Sequence, residues 1–128
     1  MRRRILESLS GLASFEYQMK FIVHGTKEEY VLPDELVDSA CSEIETTLNS
    51  DELRVSLTPL EQKVFSELVI RLRELHKFVP TNDPSVSNME LITGNTNWQE
   101  LRERSRIALI QMNWDLEKWE RENVPKSA

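Results

Sequence analysis

The sequence predicts an all-α protein, a single domain over residues 1–128 built as a bundle of four main helices with a long loop between the third and fourth. Three observations carry this. Apolar residues recur at three- and four-residue spacing in four separate stretches. Two of those stretches open on a capping hydroxyl followed three residues later by Glu or Gln. At 128 residues, with 39% hydrophobic and 30% charged side chains, the chain has the size and balance of one globular domain.

The first stretch runs through Ile5, Leu9, Leu12, Phe15, Met19, Ile22 and Val23. His24-Gly25 reads as its stop, with Gly25 as a left-handed cap. A β-hairpin over residues 17–32 is the competing arrangement, because Tyr17 to Val23 is aromatic and branched and is followed by a turn-like His24-Gly25-Thr26-Lys27. The helical period continues into Met19 and favours helix. The second helix starts near Pro33-Asp34-Glu35, where a first-turn proline and acidic residues suit the positive end of the dipole. Its apolar stripe is Leu36, Val37, Ala40, Cys41, Ile44 and Leu48, and Asn49-Ser50 ends it.

Thr58-Pro59-Leu60-Glu61 is the clearest start signal in the chain. Leu60, Val64, Phe65, Leu68, Val69, Leu72 and Leu75 follow, and Val79-Pro80 closes this third helix. The fourth, expected to be the longest, opens at Thr96 with Gln99 as its box partner and carries Trp98, Leu101, Ala108, Leu109, Met112, Leu116 and Trp119 on one face. Ile107, Ile110 and Trp114 form a second stripe. So wide an apolar arc fits a helix packed on two sides, or a homodimer interface through that stripe. Residues 79–95 between the third and fourth helices hold Pro80, Pro84 and several Ser, Thr and Asn residues, with Met89 to Ile92 as an anchoring turn. Such a loop is either a contact surface or a spacer between antiparallel helices.

Charge is unevenly distributed. The net charge is −6, yet Glu28, Glu29, Asp34, Glu35, Asp38, Glu43, Glu45, Asp51 and Glu52 follow one another without a Lys or Arg between them. Arg54, Lys63, Arg71, Arg73 and Lys77 then fall in the third-helix region. On a helical wheel Glu35, Asp38 and Glu45 lie opposite the apolar stripe, with Asp34 on the flank. They form an acidic ridge that either attracts a basic partner or is neutralised inside the fold by the third helix.

Several chemistries find no footing. One cysteine, Cys41, excludes an internal disulfide and Cys-rich zinc sites, and its apolar neighbours mark it as an inert buried thiol. Neither His24 nor His76 has Glu three residues before it, so a di-iron bundle lacks its ligands; His76 sits where a histidine meets a helix dipole. Glu35-x-x-Asp38 and Glu100-x-x-Glu103 are similar to the paired carboxylates of the all-α nucleotide pyrophosphohydrolases, which use Mg²⁺. In that family adjacent glutamates precede the E-x-x-D after a longer gap, whereas Glu28-Glu29 stands too near Glu35 and Pro33 intervenes. Leu57-Thr58-Pro59-Leu60-Glu61-x-x-Val64 resembles the opening helix of bacterial helix-turn-helix regulators over that short segment alone. A continuous helix follows it, and an acidic domain lacks the charge for a phosphate backbone. No phosphate loop, dinucleotide fingerprint or nucleophile elbow is present.

The expectation is therefore a non-catalytic acidic binding protein, without metal or cofactor, of the inhibitor or immunity kind. It would cover a basic protein partner, such as a nuclease, and bind neither nucleic acid nor membrane. Glu28, Glu29, Tyr30, Asp34, Glu35, Asp38 and Glu45 are its candidate partner-binding residues, and Ile107, Ile110 and Trp114 its candidate oligomer interface. A structural homo-oligomer and a Mg²⁺-dependent nucleotide hydrolase are the alternatives. Glu7 interrupts the apolar run that a secretory signal would need after Arg2-Arg3-Arg4, so a retained, cytoplasmic N-terminus is expected.

Overall fold

A computed structural model describes residues 2–125. Among these residues all regular secondary structure is helical, with no strand, which settles residues 17–32 against the hairpin. Eight α-helices and one π-helical segment replace the four continuous helices expected. They are α1 (Arg2–Ala13), α2 (Phe15–Gln18) running into the π segment Met19–Val23, α3 (Pro33–Leu48), α4 (Asp51–Arg54), α5 (Pro59–His76), α6 (Asn88–Gly94), α7 (Thr96–Gln111) and α8 (Leu116–Asn123). The four longest pack as a ring. α1 and α5 each touch α3 and α7, which leaves α3 and α7 diagonally opposed. Ile5, Leu6, Leu9, Leu12, Ile44, Phe65, Leu72, Trp98 and Leu101 fill the centre with no exposed surface, and this burial is the main source of stability.

The first stretch breaks at Ser14, whose extended backbone caps α2 through a 3.0 Å hydrogen bond from the Tyr17 amide to its Oγ. The break leaves carbonyls without helical partners, and the buried side chain of Gln18 satisfies two of them. Its Nε2 donates to Gly11 O at 3.2 Å and to Leu12 O at 2.7 Å. Its Oε1 accepts from Trp98 Nε1 at 3.0 Å and from Arg102 Nη1 at 3.1 Å. One glutamine thus joins the α1–α2 corner to α7, a polar network inside the core that apolar periodicity does not reveal.

α3 begins at Pro33, as expected. At α5 the full capping box forms: the Glu61 amide donates to Thr58 Oγ1 at 3.1 Å and the Thr58 amide to Glu61 Oε1 at 2.9 Å. The fourth helix is shorter and starts differently than expected. Asn95, rather than Thr96, is the cap, accepting from the Trp98 amide at 2.9 Å, while Gln99 Nε2 donates to Thr93 O. α7 stops at Gln111. Asn113 then adopts φ 58°, the one non-glycine in the left-handed region among the described residues, and the Asp115 side chain caps α8. Asparagine tolerates this conformation better than most residues. Leu116 and Trp119 accordingly sit on α8 and are only half-buried.

Gly25 is not a left-handed cap, since no described glycine has positive φ. Its constraint is close approach: a Cβ there would lie 2.6 Å from Phe21 O and 2.6 Å from the Tyr30 ring. Within 79–95, Met89 to Ile92 belong to the seven-residue α6, capped by Ser87 and anchored through buried Leu91 and Ile92. No described helix is long and apolar enough to cross a membrane.

Candidate partner-binding surface

Three acidic side chains of α3, Asp34, Asp38 and Glu45, meet polar groups of α5. Arg73 forks between two of them, with Nη1 donating to Asp38 Oδ1 at 2.7 Å and Nη2 to Glu45 Oε1 at 2.7 Å. These hydrogen bonds, that to Glu45 foremost, stabilise the charged guanidinium and raise its pKa. His76 Nε2 lies 2.7 Å from Asp34 Oδ1, and Thr81 Oγ1 donates to the same oxygen at 2.5 Å. Burial opposes ionisation of Asp34, but the hydrogen bonds from Thr81 and His76 outweigh it and hold this carboxyl below its ordinary range. Arg4 of α1 reaches Glu43 at 3.0 Å. The uncompensated ridge expected from the wheel is therefore corrected: Asp34, Asp38 and Glu45 are engaged by α5 and the chain just after it. His76 meets the first turn of α3 rather than only its own helix dipole.

What stays free lies on the loop entering α3, in the first turn of α3 and at Glu52 on α4. Glu28, Glu29 and Glu35 are exposed and make no ion pair among the described residues. Tyr30 stands among them with 43% of its surface exposed, and Leu32 with 48%. The ring is nevertheless held in place. Its hydroxyl accepts from Asn88 Nδ2 of α6 at 3.2 Å, the Val31 amide donates to Phe21 O at 3.0 Å, and Gly25 lies against its edge. An aromatic already fixed in position loses little freedom on contact with a partner. Asn88 is the supporting residue that sequence reading missed, since an asparagine in a polar loop carries no period.

The second apolar stripe is divided. Ile107 and Ile110 are exposed, but Trp114 turns away from them. Its indole N–H donates to Ser10 Oγ at 2.7 Å, and it lines a separate groove with Trp119, Arg3 and Lys118. The two carboxylate pairs weighed for Mg²⁺ do not meet either. α3 and α7 are diagonal in the ring, Glu100 pairs with Arg104 at 3.0 Å and Glu103 with Arg106. Among the described residues no three His, Cys, Asp or Glu side chains gather where a metal ion could be held. Cys41 is fully buried, and burial pushes its thiol up to about 11, so it stays protonated. No family model matches this chain, and neither a curated protein nor a solved structure does.

Proposed function

We propose that this chain is a non-catalytic acidic binding protein of the inhibitor or immunity kind, a single bundle of four main helices acting in the cytoplasm. It engages a basic protein partner through the loop that leads into α3. The carrying observation is the free carboxylate set Glu28, Glu29 and Glu35 around the exposed, braced Tyr30. The carboxylates raise the rate and fix the register of encounter with a cationic surface, and Tyr30 and Leu32 supply the apolar anchors that charge alone does not. Asp34, Asp38 and Glu45, expected to share this role, serve chiefly to dock α5 on α3.

The test is affinity capture from the native cell at low and high salt, followed by association kinetics on the captured protein. Reversing Glu28, Glu29 and Glu35 to lysine should leave the helical circular dichroism intact and slow association by about 10- to 100-fold at low salt, with a flatter salt dependence. Equal rates and equal salt slopes for the variant and the natural chain would overturn this reading.

A further inference from the structure

The last turn of α5 and the first turn of α3 meet at a cleft of about 480 Å³. Asp34 and Asp38 line it from α3, Arg73, His76 and Lys77 from the end of α5, and Thr81 from the chain that leaves α5. One oxygen joins the three segments. Asp34 Oδ1 accepts from the Thr81 hydroxyl at 2.5 Å and lies 2.7 Å from His76 Nε2, although His76 stands 42 residues further along the chain. The His76 side chain is 18% exposed and that of Asp34 35%. Their contact is sheltered from much of the screening that salt gives a surface pair, while the imidazole stays within reach of solvent protons.

Around His76 stand two acids, Asp34 and Asp38, and two bases, Arg73 and Lys77. Asp38 is already bonded to Arg73, which also holds Glu45. Arginine and lysine keep their charge throughout the neutral range. Burial opposes ionisation of Asp34, but the bonds from Thr81 and His76 outweigh it, so Asp34 is a carboxylate across that range as well. Histidine is the residue type in this cleft whose charge changes between about pH 5 and 8. Its contact with Asp34 sets what the proton does. With the proton, the imidazolium donates a charge-assisted bond and cancels the charge of the carboxylate. Without it, the Nε2–H tautomer keeps the hydrogen bond but leaves Asp34 fully negative. Asp34 then stands uncompensated beside Glu35, the next residue, at the end of the loop that carries Glu28 and Glu29.

We infer that His76 is a proton switch on this junction: as an imidazolium it fastens α5 and the chain after it to α3 and masks Asp34, and as a neutral imidazole it loosens that hold and returns a negative charge to the acidic surface. The effect on capture rests on the acidic loop being the surface that meets a basic partner; the fastening of α5 to α3 does not.

Both measurements use the full chain carrying His24→Gln, so that the exposed His24 beside the acidic loop adds no titration of its own. Thermal unfolding of a double-mutant cycle of His76→Gln and Asp34→Asn, at about pH 5.5 and about pH 8, reads the switch itself. A histidine that gains an anionic partner on folding adds stability that is present at low pH and lost as pH rises. His76→Gln should accordingly lower the melting temperature by about 2–4 °C at the lower pH and by less than about 1 °C at the higher. Its coupling with Asp34 should be at least about twice as large at the lower pH. Circular dichroism before melting checks that each variant is folded. Equal coupling at the two pH values overturns the inference.

Binding of a short oligolysine peptide at low salt reads the charge on the surface. Affinity should rise about two- to threefold from the lower pH to the higher, and His76→Gln should remove that rise. A rise that survives His76→Gln overturns the link between the switch and capture. Reversing Glu28, Glu29 and Glu35 to lysine separates the two readings. If oligolysine binding is indifferent to that reversal, the acidic loop is not the capturing surface, while a pH-dependent coupling of His76 with Asp34 still supports the switch.

Discussion

Replacing Arg73 with glutamine removes the cation that holds two α3 carboxylates against α5. Arg73 reaches Asp38 and Glu45 at 2.7 Å each, with its side chain 35% exposed and those of Asp38 and Glu45 58% and 41%. Partly solvated pairs of this kind contribute about 0.2–1 kcal/mol each, because water screens the attraction and ordering long side chains costs entropy. Two contacts from one planar fork, together with the repulsion among Asp34, Glu35, Asp38 and Glu45 that its removal releases, give about 1–2 kcal/mol in all. For a chain of this size that is a fall in melting temperature of roughly 3–8 °C. Thermal unfolding followed by circular dichroism at low salt measures it, and about 1 M salt should erase most of the difference. A double-mutant cycle with Glu45→Gln should return a coupling energy of about 0.5–1 kcal/mol. Because the substitution frees two carboxylates next to the acidic loop, Arg73→Gln should also capture a basic partner faster than the natural chain. A variant melting within about 1 °C of the natural chain at low salt, with no coupling in the cycle, would show that Arg73 does not neutralise the ridge.

Two further outcomes follow from the geometry. Gly25→Ala should destabilise by about 1–3 kcal/mol, since the backbone carbonyl of Phe21 cannot yield to a Cβ at 2.6 Å; as the Tyr30 ring is displaced too, the variant should dissociate faster from a captured partner. Glu61, hydrogen-bonded by the Thr58 amide and paired with Arg2, titrates below its ordinary value of 4.5 because those contacts outweigh the opposing effect of burial. A carboxyl whose folded pKa is depressed adds stability that is complete above its unfolded pKa and is withdrawn as pH falls through the folded one. Denaturant unfolding as a function of pH should therefore show Glu61→Gln less stable than the natural chain at neutral pH, with the gap closing as pH falls below about 4.5. A gap that is constant with pH would refute that assignment.

Much of the architecture is legible in local signals. The Thr58/Glu61 capping box, Pro33 in a first turn and the stripe from Phe65 to Leu75 are decided by contacts within a few residues, so the sequence specifies helix starts and buried faces directly. The inert thiol of Cys41 follows in the same way from its neighbours' spacing. Helix ends were less legible. The corner at Ser14 and the turn at Asn113 interrupt stretches whose apolar period continues across them, because the chain must change direction to pack and pays no periodicity for doing so.

The uneven charge was also readable from the chain alone; that Tyr30 is exposed came from the structure. Which acids are free was not legible in the sequence either. Arg73 and His76 lie 28 or more residues beyond the carboxylates they bind, and only the packing of α5 on α3 brings them within 3 Å. Electrostatic contact depends on distance in space, and a linear sequence records charge without recording that distance. The sequence determined that this protein is acidic, helical and unevenly charged; tertiary packing decided that Asp34, Asp38, Glu43 and Glu45 of α3 are tied into the fold and that Glu28, Glu29 and Glu35 face outward.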